Sequence, residues 1–240
     1  MAQAAARSFA NTKARPAETK LDFSLLDSLT APGVFWRSPS ELVPTLSLLA
    51  QTVARADAAS YFAFRVHNIG ISNVGESSEN LRRREAYLRA ALVEFVSMEY
   101  VIPQDMKTLG LTIAPPRICE SPNPLVHAVA ALRHMNVHLT SSTLSQAQRL
   151  AVWPVEPEPL EFTYEMWITQ PLTRENLIRR KGPKYSISDV EHLHKWFVSA
   201  QSKWGVHHLV QHAIVEYGKF LMVSVEIAQS RDHAELSTPT

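Results

Sequence analysis

Cysteine is nearly absent from this chain: Cys119 is the one thiol in 240 residues. That excludes an intramolecular disulfide framework and a thiolate-rich zinc site, and it suits a reducing compartment, so a cytoplasmic location is expected. Glycine is scarce too, at seven residues. There is no phosphate-cradling Gly-rich loop and no Gly-x-Ser-x-Gly elbow, which argues against nucleotide-binding and serine-hydrolase chemistry. Neither sign of charge dominates. Lys and Arg number 24 against 23 Asp and Glu, a formal charge of +1, so no global basic field exists and any nucleic-acid contact has to be local. Long apolar runs are missing as well: the best stretches, around 42–53 and 220–228, are broken by polar residues short of the roughly 18 needed to cross a bilayer. No membrane partner and no cofactor are expected.

What is present is a globular composition, 45% hydrophobic and 20% charged, enough to bury a core. Apolar residues at 3–4 spacing predict a helix from Ser40 to about Val66, through Leu42, Leu46, Leu49, Val53 and Ala56. A second helix carries Leu81, Leu88, Leu92, Phe95 and Val96 on one face, with Arg82, Arg83 and Arg84 read as its wet face. Three prolines among 102–116 predict that this helix ends there. Asn123 and Pro124 open a third helix over 124–140. Proline density at 153–159 excludes regular structure, and 161–170 alternates in the manner of a strand, so a small hairpin insertion is expected at about 153–185. Ser188 and Glu191 form a candidate capping box for a fourth helix, Gly205 breaks it, and a last helix covers about 206–228. The expectation is a mainly α bundle over 21–230 with a small β-hairpin insertion, flanked by disordered tails at 1–20 and 231–240.

The third helix passes from an apolar stretch, 125–132, into the polar run Arg133-His134-Met135-Asn136-Val137-His138. An imidazole and a guanidinium suffice to cut RNA without a metal. The imidazole, with an ordinary pKa of about 6.5, removes the 2′-hydroxyl proton, and the permanently charged planar guanidinium stabilises the charge building on phosphorus. On an ideal helix Arg133 and His138 point about 140° apart, whereas His134 and His138 share a face.

Arg-x4-His with a polar residue directly after the arginine, late in a helix of a small bundle, resembles the signature of the HEPN superfamily. The resemblance covers roughly 40–145 and part of the C-terminal helices, and it implies a HEPN-like helical bundle acting as a metal-independent RNA endonuclease. His138 would be the general base, Arg133 the transition-state stabiliser, and His134 and Asn136 the residues that position the phosphate. It also implies a homodimer in which two copies of the motif meet, RNA as substrate, no resident metal, and a toxin or antiviral defence setting with an antitoxin or regulatory protein as partner.

Other readings stay open on the residues alone. The same cluster can be a polar helix end, with a histidine bonded to a carbonyl and Arg133 paired to Glu94 or Glu99, in a non-catalytic interaction or scaffold module of the same fold. His208 and His212, at i and i+4, could hold zinc only with a further ligand, for which Glu216 is the neighbour to consider. The basic run containing Arg179, Arg180 and Lys181 reads as an RNA-phosphate contact or as a solvated loop, with Arg174, Tyr164, Trp167 and Tyr185 as candidate stacking partners nearby.

Overall fold

The computed structural model describes residues 21–29, 46–67, 78–111, 114–138, 144–153, 158, 160–169, 174 and 185–236. Over these the chain is mostly helical with one two-stranded antiparallel sheet, the mainly α architecture expected from its sequence. Five α-helices are described: α1 (Ala50–His67), α2 (Ser78–Thr108), α3 (Pro124–His138), α4 (Ile187–Trp204) and α5 (Val206–Leu236). Between α3 and α4 lie β1 (Leu144–Trp153) and β2 (Leu160–Thr169), registered from Leu144 opposite Thr169 to Trp153 opposite Leu160. Short 3-10 turns occupy Phe23–Leu29 and Ile118–Glu120.

α1 lies along α2, and α5 packs against α1, α2, α3, α4 and β2. The first ten residues of α5, 206–215, are all buried, as befits a helix enclosed on every side. Ala56, Ala59 and Ala63 line the buried face of α1, where small side chains let another helix approach closely. Large residues of α2, among them Leu92, Phe95 and Met98, fill the core, and Phe95 meets Tyr217 of α5 edge to face.

Several boundaries differ from those the sequence suggested. α1 begins at Ala50 rather than Ser40; residue 40 itself lies outside the described residues. α2 does not stop at the prolines but runs through Pro103 to Thr108. A proline inside a helix forfeits one hydrogen bond and costs about 3 kcal/mol. Here Pro103 is exposed, while Ile102, Asp105 and Met106 around it are buried, so continuing the helix keeps their packing. β2 falls where a strand was expected, but its partner β1 precedes the proline-dense segment. The cap of α4 is Ser186, whose hydroxyl accepts from the Asp189 amide at 3.0 Å. Glu191, the other half of the expected box, pairs instead with Arg174 at 3.0 Å.

Gly205 ends α4 with φ at +78°, a left-handed conformation that favours glycine. A Cβ there would lie 2.9 Å from the His207 ring and 3.3 Å from Met166 Cβ, so the α4–α5 corner is closed by two neighbours at once. β2 is fastened to this corner through Gln201, whose amide accepts from the Thr169 N–H at 3.1 Å and donates to the Thr169 carbonyl at 3.2 Å, extending the strand's ladder with a side chain.

Candidate functional site

The polar end of α3 is positioned from its other end. Asn123 caps the helix, its Oδ1 accepting from the Leu125 amide at 2.9 Å, and its Nδ2 donates to Glu216 on α5 at 3.3 Å. One turn on, buried His127 is held on both nitrogens: Nε2 donates to the Ser121 carbonyl at 2.7 Å, which leaves Nδ1 to accept from the Tyr185 hydroxyl at 2.5 Å. Burial pushes the His127 pKa below its ordinary value, and the bond to Ser121 opposes that only in part. Tyr185, raised by burial, stays a protonated donor. These contacts fix the rotation of α3 about its axis, and the buried stretch from Leu125 to Val129 locks it to the core.

At the far end of α3, Arg133 and His134 are half-buried neighbours. The Arg133 Nε is buried with no hydrogen-bond partner among the described residues. Neither acid offered to it by the sequence is used that way: Glu94 pairs with Arg55 at 2.9 Å and Glu99 with Arg117 at 3.2 Å. Asn136 and His138 belong to the last turn of α3, and their side chains lie outside the described residues, as do Arg179, Arg180 and Lys181. The expected stacking surface is not assembled from Trp167 and Tyr185. Trp167 is buried beneath Arg84, and the Tyr185 hydroxyl is bonded to His127.

No known family model, curated protein or solved structure matches this chain.

A second polar assembly, which sequence inspection missed, sits where α1, α2, β2 and α5 converge. The His67 ring stacks on that of His207 at 4.9 Å between centroids, and His207 lies against His208 at 4.2 Å. Arg84 is buried, not on the wet face of α2 as expected. Its guanidinium donates to the carbonyls of Val66 and His67, the last of α1, and lies 4.5 Å over the Trp167 ring. The phase of the sequence carried this signal: Arg84 stands at i−4, i−7 and i−11 from the buried residues Leu88, Ala91 and Phe95.

Burial lowers the pKa of all three imidazoles. His207, also facing His208, His67 and Arg84, falls well below the ordinary value; His208, also facing His212, falls to about 4; His67 feels Arg84 against it and Glu165 in its favour. The rings are therefore neutral at pH 7. Among the described residues no group of three or more His, Cys, Asp or Glu could hold a metal ion, and Glu216, the ligand considered for His208 and His212, is engaged by Lys219 and Asn123. No described helix is long and apolar enough to cross a membrane.

Proposed function

We propose that this protein is a metal-independent RNA endonuclease of HEPN type, working as a homodimer through the polar end of α3. The observation that carries the reading is Arg133: a half-buried guanidinium whose Nε has no acceptor among the described residues, beside His134, with the two candidate acids committed to other arginines. Among the described residues no carboxylate pairs with Arg133, which suits the binding of a phosphate, whose oxygens the planar fork matches. In this scheme His138 takes the proton from a ribose 2′-hydroxyl, the 2′-oxygen attacks phosphorus, and the P–O5′ bond breaks, the leaving 5′-oxygen taking up a proton from water. Arg133 stabilises the added charge, while His134 and Asn136 orient the phosphate. The products are a 2′,3′-cyclic phosphate and a 5′-hydroxyl. A toxin or antiviral effector held in check by an antitoxin or regulatory protein, in the cytoplasm, is the setting that fits such an activity.

The test is incubation of the purified protein with total RNA in EDTA, beside Arg133→Ala and His138→Ala. Cleavage by the wild type alone, leaving cyclic phosphate ends and with unchanged melting temperatures in the variants, supports the reading. Equal cleavage by all three proteins, or none by any, moves it to a non-catalytic interaction module of the same architecture.

A further inference from the structure

The junction of His67, His207 and His208 with Arg84 has no part in the proposed chemistry, yet it joins four elements of the fold. His207 is the centre of it. It is 2% exposed, and among the described residues neither ring nitrogen has a hydrogen-bond partner. An unsatisfied buried imidazole costs stability that an apolar ring of similar shape would not, so a histidine here calls for a reason other than packing. One face of the ring lies on His67, His208 leans against it, and its edge fills the space beside the Gly205 corner, next to Met166 of β2.

We infer that this junction is an acid-sensitive latch: protonation of the stacked imidazoles beside Arg84 releases the β-hairpin and the C-terminal end of α1 from the start of α5. The charges around the stack are set against the protonated state. α1 supplies His67 itself, and α2 supplies the buried Arg84, followed by half-buried Glu85. α5 supplies His208 and His212. α3, which also packs on α5, carries Arg133 and His134 and no acid, and β1 has no acid either. α4 contributes Gln201, uncharged and bonded to Thr169. The carboxylate whose charge reaches His67 is Glu165 of β2, and it is exposed.

Two or three imidazolium ions in this space would face one another and a guanidinium already there, with little solvent to screen them. The first contact to yield is the one with least apolar packing. Trp167 rests on the Arg84 guanidinium, and the hairpin is a two-stranded sheet that holds to the bundle through Leu144 and Arg149 of β1 and through β2 and Gln201, whereas α2 and α5 bury their faces along the core. The lowered pKa values of His67, His207 and His208 place the event below the ordinary histidine range, and His208 at about 4 sets its lower end. The latch is independent of whether the chain cleaves RNA.

Hydrogen exchange read by mass spectrometry on the full chain tests it, from about pH 7.5 to about pH 4.5, corrected for the intrinsic pH dependence of exchange. The expected result is a loss of protection of about tenfold or more in segments 160–169 and 61–67 as the pH falls below the ordinary histidine range, with segment 91–102 still protected. His207→Phe, which keeps an aromatic ring but cannot be protonated, and His208→Gln should each move that midpoint down by about half a pH unit or more. The inference is overturned if the wild type keeps its protection throughout, if all three segments open together, or if both folded variants open at the wild-type pH. Should a variant fail to fold, the wild-type titration and the other variant still decide.

Discussion

Arg84 and Asp105 stand about six turns apart on α2 and cap opposite ends of α1. The Asp105 carboxylate accepts from the amides of Gln51 and Thr52 at 3.1 and 2.8 Å and from the Thr52 hydroxyl at 2.7 Å. Arg84 donates to the carbonyls of Val66 and His67. An anion thus meets the positive end of the α1 dipole and a cation its negative end, both supplied by one neighbouring helix. Arg149 of β1 does the same for α4, donating to the Lys203 carbonyl at 3.0 Å with its guanidinium over Trp204.

Asp105→Ala should therefore destabilise the fold by about 2–3 kcal/mol, because it strands two helix N-terminal amides and a buried hydroxyl. Denaturant unfolding checks this. A change below about 0.5 kcal/mol would mean that water or another group takes over the cap.

Gly205→Ala is expected to cost about 1–3 kcal/mol, through the left-handed backbone and the contacts a Cβ would make with the His207 ring and Met166. Gly110, also at positive φ but with nothing within 4 Å of a built Cβ, is the control: Gly110→Ala should carry only the backbone part, about 1 kcal/mol. Equal melting temperatures for the two variants would show that the corner relaxes freely.

Tyr185→Phe removes the hydroxyl that donates to His127 Nδ1 and leaves that nitrogen buried without its donor. About 1–2 kcal/mol of stability should be lost. Direct titration of His127 by NMR should find it neutral at pH 7 in both proteins, since burial is the main cause of its lowered pKa.

Stability should fall on acidification, and the sign follows from the histidines. His127, His207 and His208 have folded-state pKa values below the 6.5 of the unfolded chain, so below pH 6.5 the unfolded state takes up protons first. Their full contribution is present above pH 6.5 and is lost as the pH falls toward about 4, with His208 alone accounting for about 3 kcal/mol. Urea midpoints at pH 7.5 and pH 5 check this; a midpoint that is unchanged or higher at pH 5 would contradict it.

If Arg133 binds phosphate as proposed, Arg133→Lys should behave as a severe variant. Lysine keeps the charge but not the fork, and a loss of about a hundredfold or more in RNA cleavage with little change in melting temperature is expected. Full activity in the lysine variant would mean that charge alone suffices.

The sequence by itself determined the helical class, the start of α3 and the break at Gly205, because these rest on local physics: apolar residues at 3–4 spacing, Asn123-Pro124 at a helix start, glycine where φ must be positive. It also marked out Arg133-His134 at the end of an apolar helix. The tertiary structure alone decided the rest. No side chain near Ala50 announces the start of α1, since the cap is Asp105, more than fifty residues away. Pro103 reads as a stop until the buried residues around it are seen. Arg84 was grouped with two exposed arginines, although its helical phase was that of the core, and only the meeting of α1, β2 and α5 gives a buried guanidinium two carbonyls and an indole to lie against. Periodicity states which side of an element faces inward, whereas the partners of a buried charge or imidazole come from segments far apart in sequence and exist only once the chain has folded.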